Sequence, residues 1–459
     1  AFTALYHAFI GDATSCETLI DHNKRMIVDK HLAGDIDNLA HLLKRISERY
    51  RYASDFTLYG LQVALIEIMV QFPVYRSYIG RAGVSRADQD CIDRVMTQAR
   101  PNIPYFRNEL EFIKRFLRLE FDEHMAAEDK DQWLHFVMRL QQFTGPLMAK
   151  GVEDTVFYVY NRLLSLNEVG AGPLQFGIDL DEFHAFNQHR VSCWPHAMNA
   201  SATHDTKRGE DVRARLNVLS EMPAEWERCL REWHDINRQH KMRFDDGEAP
   251  GKDDEYLLYQ TLLGAYPFDL AEYPIFIERV KAYLIKAVRE AKVHTNWLEP
   301  DGRYEDALLA FAETVMQPGK DNPFLQAFLP FQRRIQHYGI LNSLGQTLLK
   351  LTTPGLPDFY QGTELWDLSL VDPDNRRPVD FERRCALLKD LQARASAGIL
   401  QLITELLAAP EDGRIKLFLI YRALQARGAE RELFQHGAYQ KLTVIGGLKG
   451  HVVAFAREL

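Results

Sequence analysis

The stretch Ser201-Ala202-Thr203-His204-Asp205-Thr206-Lys207-Arg208 places a histidine, a carboxylate and two cations within five positions. It follows the small and apolar run Ala197-Met198-Asn199-Ala200 and precedes a helical pattern over residues 211–219, so the order predicts a strand, a loop and a helix. Active-site residues of parallel α/β folds lie where strands meet loops, which makes Asp205 a catalytic candidate. The alternative is an ordinary helix start, with Asp205 as N-cap and with Lys207 and Arg208 in solvent.

Composition narrows the class of protein. The chain has 459 residues, enough for about three domains, with 46% hydrophobic and 26% charged residues, as in a globular protein with a core. The net charge of −9 argues against a nucleic-acid partner. The most apolar run, Leu58 to Phe72, is too short and too polar for a membrane span, so we expect a buried helix and no membrane partner. Five scattered cysteines predict neither disulfides nor a zinc site, and indicate a reducing, cytoplasmic location.

Three further stretches carry candidate polar groups. Lys150 and Glu153 are three residues apart, so a helical turn would bring both to one face, as a binding pair or as a surface ion pair. Residues 351–364 contain proline and glycine, and we expect a short strand that opens into a loop. The turn from Asp372 to Pro378 combines carboxylates and guanidiniums, which could bridge sugar hydroxyls or form a salt-bridged structural turn.

Together these stretches resemble the α-amylase superfamily of (β/α)8-barrel enzymes. In that superfamily one strand ends in a His-Asp pair, and a later strand ends in Pro-Gly-x-Pro-x-x-Tyr-x-Gly-x-Glu. This sequence has His204-Asp205 and the stretch from Pro354 to Glu364. Four longer stretches are more specific, and their sequences resemble those of the maltooligosyltrehalose synthases: residues 145–160, 202–219, 255–264 and 368–378.

The resemblance implies an α/β fold: the later part of a (β/α)8 barrel with large α-helical insertions, followed by the start of a C-terminal β domain. The implied domains are a helical subdomain (1–135), a barrel segment with the catalytic aspartate (136–209), a helical insertion (210–345), the final barrel strand and helix (346–430), and the start of the β domain (431–459).

The resemblance also implies a reaction. The enzyme moves the reducing-end glucose of a maltooligosaccharide from an α-1,4 to an α,α-1,1 linkage with retention, which requires a nucleophile and an acid/base carboxyl roughly 5 to 5.5 Å apart. Asp205 matches a third carboxylate, which stabilises the transition state, and His204 matches the histidine that binds the same glucose. Lys150 and Glu153 match a substrate-binding motif near the transferred glucose. No cofactor or metal is implied, and we expect a monomer. Weaker candidates for substrate binding are Lys207, Arg208, Tyr360, Glu364, Asp372 and Arg376.

Parts of the superfamily pattern are missing. The nucleophile belongs to a Gly-x-Arg-x-Asp pattern, whereas the nearest stretch, Gly83 to Asp88, is one residue longer and follows no predicted strand. No glutamate can be assigned as acid/base, and Thr203 replaces the usual asparagine before the histidine. Both chain ends look cut. We therefore expect the nucleophile and the acid/base before Ala1, and expect this chain to be an inactive C-terminal portion of the enzyme.

Two other functions stay open. An α-glucan hydrolase or a 4-α-glucanotransferase would share the same carboxylates, and would release glucose or redistribute chain lengths. A non-catalytic glucan-binding module would account for the missing nucleophile. The sequences of the motifs favour the synthase over the first alternative. The ends of the chain, which look cut, favour truncation of an enzyme over the second.

Overall fold

The chain divides into two compact units. A computed structural model describes residues 2–245 and 247–459. The first unit comprises the residues up to Ala13 with 161–289 and 293–459, and the second comprises 14–160 and 290–292. The boundary between the units falls between Tyr160 and Asn161. One helix, Ala127–Met148, runs through residue 135 and buries side chains on both sides of it in the same core.

Helices make up most of the ordered chain. In chain order they are α1 (Phe2–Ile10), α2 (Cys16–His31), α3 (Ala33–Ser47), α4 (Leu58–Val70), α5 (Arg86–Asn102), α6 (Arg107–Leu117), α7 (Ala127–Met148), α8 (Phe157–Val159), α9 (Leu180–Cys193), α10 (Glu210–Asn217), α11 (Pro223–Asn237), α12 (Lys252–Ala265), α13 (Tyr273–Ala291), α14 (Gly302–Met316), α15 (Pro323–Thr352), α16 (Phe381–Ala408), α17 (Arg414–Ala429) and α18 (Arg431–His436). A π-helix, Ala149–Val156, joins α7 to α8.

The second unit is built from α2 to α8 around one apolar core. Leu65 and Ile68 of α4 are fully buried there, and the rings of Phe116 and Trp133 stack with centroids 3.8 Å apart. The apolar run that begins at Leu58 is thus a buried helix, as predicted. Of the helices in the described ranges, none is both long and apolar enough to cross a membrane.

The first unit contains the described strands, which form three two-stranded sheets. They are β1 (Met198–Ala200), β2 (Met242–Phe244), β3 (Gly247–Ala249), β4 (Leu356–Asp358), β5 (Ala438–Lys441) and β6 (Phe455–Glu458). β2 and β3 pair antiparallel, as do β5 and β6. The last pair lies within residues 431–459, where the sequence predicted the start of a β domain.

The pairing of β1 with β4 positions the candidate site. These strands are parallel, with Ala200 opposite Asp358, so both end at the same edge and their loops leave side by side. Gly355 permits the close approach before β4. Its φ is +114°, and a Cβ there would lie 2.6 Å from the carbonyl oxygen of Ala197. The predicted strand, loop and helix around Ser201 are confirmed as β1, residues 201–209 and α10. The (β/α)8 barrel itself stays a prediction.

Candidate functional site

The loop between β1 and α10 carries His204 and Asp205. α10 begins at Glu210 with Gly209 at the N-cap, so the alternative interpretation of Asp205 as N-cap is wrong. Lys207 and Arg208 are 5% and 1% exposed, so they are not solvated either. Glycine is needed at the cap because a Cβ on Gly209 would lie 2.6 Å from the carbonyl oxygen of Asp367. The loop is therefore packed against the protein on its helix side.

The buried carboxylate of Glu168 holds the second half of this loop. It accepts hydrogen bonds from the backbone N–H groups of Lys207, at 2.8 Å, and Arg208, at 3.3 Å. The Arg213 guanidinium lies 3.5 Å from the same carboxylate. Charge-assisted bonds of this kind are stronger than neutral ones, so Glu168 fixes the backbone immediately after Asp205.

The buried side chain of Asn375 holds the first half. Its Nδ2 donates to the carbonyl oxygens of His204, at 3.0 Å, and Thr206, at 3.5 Å. The Tyr360 hydroxyl donates to the carbonyl oxygen of Asn375 at 3.2 Å. Asn375 thus restrains the residues on both sides of Asp205, and Tyr360, in the loop after β4, restrains Asn375.

The side chains at the centre of this loop face solvent. His204 and Asp205 are both exposed, and the Asp205 amide donates to Thr203 Oγ1 at 3.1 Å. In the described parts of the chain, the Asp205 carboxylate makes no hydrogen bond or ion pair. A rigid backbone with a free carboxylate is the arrangement expected of a group that meets a ligand, because no internal contact has to break first.

Arg208 has an internal role. Its guanidinium donates to the Tyr283 hydroxyl at 2.6 Å and lies 3.4 Å from the carbonyl oxygen of Leu164. These contacts, together with its burial, anchor the loop to α13. A sugar contact by Arg208 is therefore the weaker of the two roles that the sequence left open.

A buried ion network lies at the start of α10. The Lys416 ammonium is 2.6 Å from Glu210 and 2.8 Å from Asp211, and the Lys350 ammonium is 3.3 Å from Glu210 and 2.7 Å from Ser201 Oγ. Burial acts to raise the pKa of Glu210, but the two ammonium groups outweigh it and lower that pKa to about 2. The network ties Ser201, the first residue after β1, to α15 and α17.

The candidates that follow β4 are partnered within the protein. Asp372 and Arg376 form an ion pair at 2.5 Å, with both side chains about half exposed, and Glu364 pairs with Arg384 at 3.1 Å. These contacts agree with the salt-bridged turn that the sequence left as an alternative. Because the Asp372–Arg376 pair is exposed, its partners could also exchange for sugar hydroxyls, so both roles remain predictions.

Asp374 fixes the turn that carries Asn375. Both of its carboxylate oxygens lie 2.8 Å from the Arg279 guanidinium, and it accepts the backbone N–H of Leu370 at 2.7 Å. Burial acts to raise the pKa of Asp374, but the hydrogen bonds and charge of Arg279 lower it overall. The turn is thus rigid before any ligand arrives.

The other two main candidates, Lys150 and Glu153, lie in the second unit on the π-helix. The Lys150 side chain is 65% exposed and its ammonium lies 2.7 Å from the Asp154 carboxylate. Glu153 is buried and accepts a hydrogen bond from the Tyr75 hydroxyl. The local geometry is thus a π turn rather than the α-helical turn expected.

Sequence reasoning missed the residues that hold the Asp205 loop. Asn375 lies inside the turn from Asp372 to Pro378, but the sequence predicted only Asp372 and Arg376 there as candidates. Lys416 interrupts the apolar run from Ile415 to Phe418, and a cation there is a signal that could have been used. Glu168 gave no signal, because the two loop amides that it binds lie far along the chain. Nowhere in residues 2–245 and 247–459 do three or more His, Cys, Asp or Glu side chains gather as a metal site would require.

Replacing Asn375 with alanine should loosen the loop around Asp205. Two backbone carbonyls would lose a buried donor, so we expect a stability loss of about 1–3 kcal/mol and faster amide hydrogen exchange in residues 203–208. Hydrogen exchange with mass spectrometry would measure this. Asn342→Ala is the matched control, because Asn342 donates to the carbonyl oxygen of Ala214 at 3.1 Å, away from the loop. Equal rates of hydrogen exchange in residues 203–208 of the two variants would show that Asn375 does not restrain the loop.

Comparison with known proteins gives one consistent match. No protein-family profile matches the chain. A protein of Mycobacterium tuberculosis described as a maltooligosyl trehalose synthase is 38% identical over 320 residues, which are 70% of this chain and 37% of that protein. The maltooligosyltrehalose synthase of Arthrobacter ramosus matches in structure with a TM-score of 0.80 and 32% identity, over 100% of this chain and 52% of that one.

A further solved structure also matches this chain. A protein of Sulfolobus tokodaii described as a hypothetical maltooligosyl trehalose synthase has a TM-score of 0.73 and 29% identity, over 100% of this chain and 53% of that one. The resemblance to maltooligosyltrehalose synthases expected from the motifs is therefore confirmed. The chain spans between about a third and about half of the length of the relatives that it matches.

Proposed function

We propose that this chain, which resembles maltooligosyltrehalose synthases from end to end, forms the part of such an enzyme that binds the sugar and stabilises its transition state. The observation that carries the proposal is the Asp205 carboxylate. It is exposed and free of described internal partners, on a loop held rigidly by Glu168 and Asn375. The substrate class is a maltooligosaccharide, and the reaction is intramolecular transfer of its reducing-end glucose from an α-1,4 to an α,α-1,1 linkage.

Asp205 acts by charge and by hydrogen bonding. A glycosyl-transfer transition state resembles an oxocarbenium ion, so a fixed carboxylate beside the ring is worth more there than in the ground state. We assign His204 to the same glucose. Asp205 by itself cannot carry out double displacement, because retention also needs a nucleophile and an acid/base carboxyl. The proposal for this chain is therefore binding and stabilisation rather than a complete catalytic cycle.

The remaining candidates divide by their surroundings. Lys150 and Glu153 keep their proposed role in substrate binding; the exposure of Lys150 supports its part, whereas Glu153 is buried and accepts from Tyr75. As candidates for substrate binding, Asp372 and Arg376 come second. Tyr360 and Glu364 come after them, because each makes an internal contact. We assign Lys207 and Arg208 to anchoring the loop.

The wider architecture is also part of the proposal. The parallel pairing of β1 with β4 supports two neighbouring strands of a (β/α)8 barrel, whose active sites lie at the strand ends that carry Ser201 and Phe359. The five domain ranges, a cytoplasmic location, a monomeric state and the absence of nucleic-acid partners stay predictions from the sequence.

The test is binding of maltopentaose, measured by isothermal titration calorimetry. Asp205→Asn should weaken the affinity about tenfold to a hundredfold, because a hydrogen bond to a charged group is lost. Asp235→Asn, at an exposed aspartate of α11 in the same unit, should leave the affinity unchanged. Absence of binding by the wild-type chain, or equal effects of the two variants, would contradict the proposal.

Reducing-end content of the same maltopentaose separates the alternatives. We expect the chain to bind without turnover. A fall in reducing ends at constant chain length would show complete synthase activity and would contradict the expected lack of turnover. A rise would indicate hydrolysis, and redistribution of chain lengths would indicate a glucanotransferase; either result would replace the synthase by one of the two alternatives.

A further inference from the structure

We propose that Lys292 is a positioning residue that holds the sugar-binding turn from Lys150 to Asp154 in its bound shape. This inference rests on the proposed role of that turn in binding maltooligosaccharide. Lys292 directly follows the end of α13 and is far from the turn in sequence. Even so, it belongs by its contacts to the second unit, together with residues 290 and 291.

The contacts of the Lys292 ammonium carry the inference. It donates to the carbonyl oxygen of Asp154 at 3.1 Å, to Thr155 Oγ1 at 2.9 Å and to the carbonyl oxygen of Glu290 at 2.7 Å. An ammonium has three protons to donate, so its capacity is fully used. Two of the three acceptors lie on the π-helix.

These bonds lead directly to Lys150. The Thr155 hydroxyl, which accepts from Lys292, donates in turn to the carbonyl oxygen of Lys150 at 2.8 Å. Asp154, whose carbonyl Lys292 holds, places its carboxylate 2.7 Å from the Lys150 ammonium. Consecutive hydrogen bonds of this kind strengthen one another. Lys292 therefore restrains both the backbone and the side-chain partner of Lys150.

The backbone conformation of Lys292 is unusual for a lysine. Its φ is +59°, in the left-handed region that favours glycine. A lysine there is strained, and such strain persists where the surrounding contacts over-determine it. Burial lowers the pKa of Lys292, while the nearby carboxylates of Glu290 and Asp154 act to raise it and Lys150 acts to lower it. The side chain is thus held in a partly desolvated position by its acceptors.

The turn itself needs such a restraint. π-Helical geometry is rare and occurs mostly as single turns inside α-helices, whereas Ala149–Val156 is eight residues long. Side-chain donors from Lys292 and Thr155 supply bonds to its carbonyl groups. Without them, we expect the segment to relax toward an α-helix and to move Lys150.

The test compares Lys292→Met, Lys292→Arg and Lys292→Gly in the full chain. Lys292→Met keeps the apolar stem and removes the donors. We expect about tenfold faster hydrogen exchange in residues 150–156 and about tenfold weaker affinity for maltopentaose by calorimetry. Lys292→Arg retains charge and donors and should restore most of both. Lys292→Gly relieves the backbone strain, so it should lose affinity without losing thermal stability.

Lys44→Met is the matched control. Lys44 lies in the same unit, is similarly exposed, and donates to a single carbonyl oxygen, that of Ser54, at 3.0 Å. It should change neither readout. If Lys292→Met leaves exchange and affinity unchanged, or if loss of affinity follows loss of stability in all variants and arginine does not rescue it, the inference is wrong. If the wild-type chain does not bind maltopentaose, the proposed function fails, and exchange in residues 150–156 still shows separately whether Lys292 holds the turn.

Discussion

Replacing Lys416 with methionine is expected to lower the free energy of unfolding of the first unit by about 3–5 kcal/mol, because it leaves Glu210 and Asp211 as buried charges without their main partner. Lys416 is fully buried, and its ammonium also donates to the carbonyl oxygen of Leu365 at 3.2 Å. Burial acts to lower the pKa of Lys416, but the two carboxylates raise it overall, so it stays charged. Urea unfolding at neutral pH would measure the loss.

The control for this variant is Lys281→Met. Lys281 forms surface ion pairs with Glu278 and Glu313 on α13 and α14, and such pairs contribute little. We therefore expect little change in unfolding. A Lys416→Met protein as stable as the Lys281→Met protein would show that the buried network does not hold α10 in place.

Acid should weaken the contribution of Glu210 to this network. The folded-state pKa of Glu210 is lowered from the ordinary value of 4.5 to about 2, so Glu210 stabilises the fold fully above the ordinary value. That stabilisation is lost as the pH falls from 4.5 towards 2, because the unfolded chain then binds a proton that the folded chain does not.

The sequence predicted the local structure well where a single pattern governs it. The small and apolar run before Ser201 became β1, the helical pattern after it became α10, and the proline and glycine of residues 351–364 ended α15 and opened into β4. Short-range periodicity and backbone restriction suffice for such elements. They also placed Asp205 correctly, between a strand and a helix.

The sequence could not predict contacts between distant residues. Glu168 holds Lys207 and Arg208, and Asn375 holds His204, through backbone groups, which have no side-chain signature. The same limit explains the two errors of geometry. The N-cap preference of aspartate favoured Asp205, but the fit of Gly209 against Asp367 set the helix start, and helical spacing could not separate an α turn from the π turn at Lys150.

Asp253 should make the stability of the first unit fall as the pH rises. Its carboxyl, in the first turn of α12, accepts hydrogen bonds from the Tyr6 hydroxyl and from Asn161 Nδ2, each at 2.8 Å, and has no salt bridge in the described ranges. Burial first, and then the neighbouring Asp254 carboxyl, raise its pKa from 3.8 to about 8. At neutral pH the folded protein therefore keeps a proton that the unfolded chain releases.

The sign follows from this difference in protons bound. The contribution of Asp253 to stability is full below pH 3.8 and is lost as the pH rises towards 8, at up to about 1.4 kcal/mol per pH unit, and it is constant above that range. Asp253→Asn keeps the shape and cannot ionise. The variant should therefore show a flatter pH dependence than the wild type, as measured by urea unfolding at a series of pH values.

The control is Asp306→Asn on α14, where the aspartate is exposed and the substitution should leave the pH dependence as in the wild type. If the wild-type free energy of unfolding is constant between pH 4 and pH 8, or if Asp253→Asn follows the wild type throughout that range, Asp253 is ionised in the fold. The expected result instead means that the Asp253 carboxyl is neutral at the start of α12. The helix dipole there favours the charged form, but burial disfavours it more strongly.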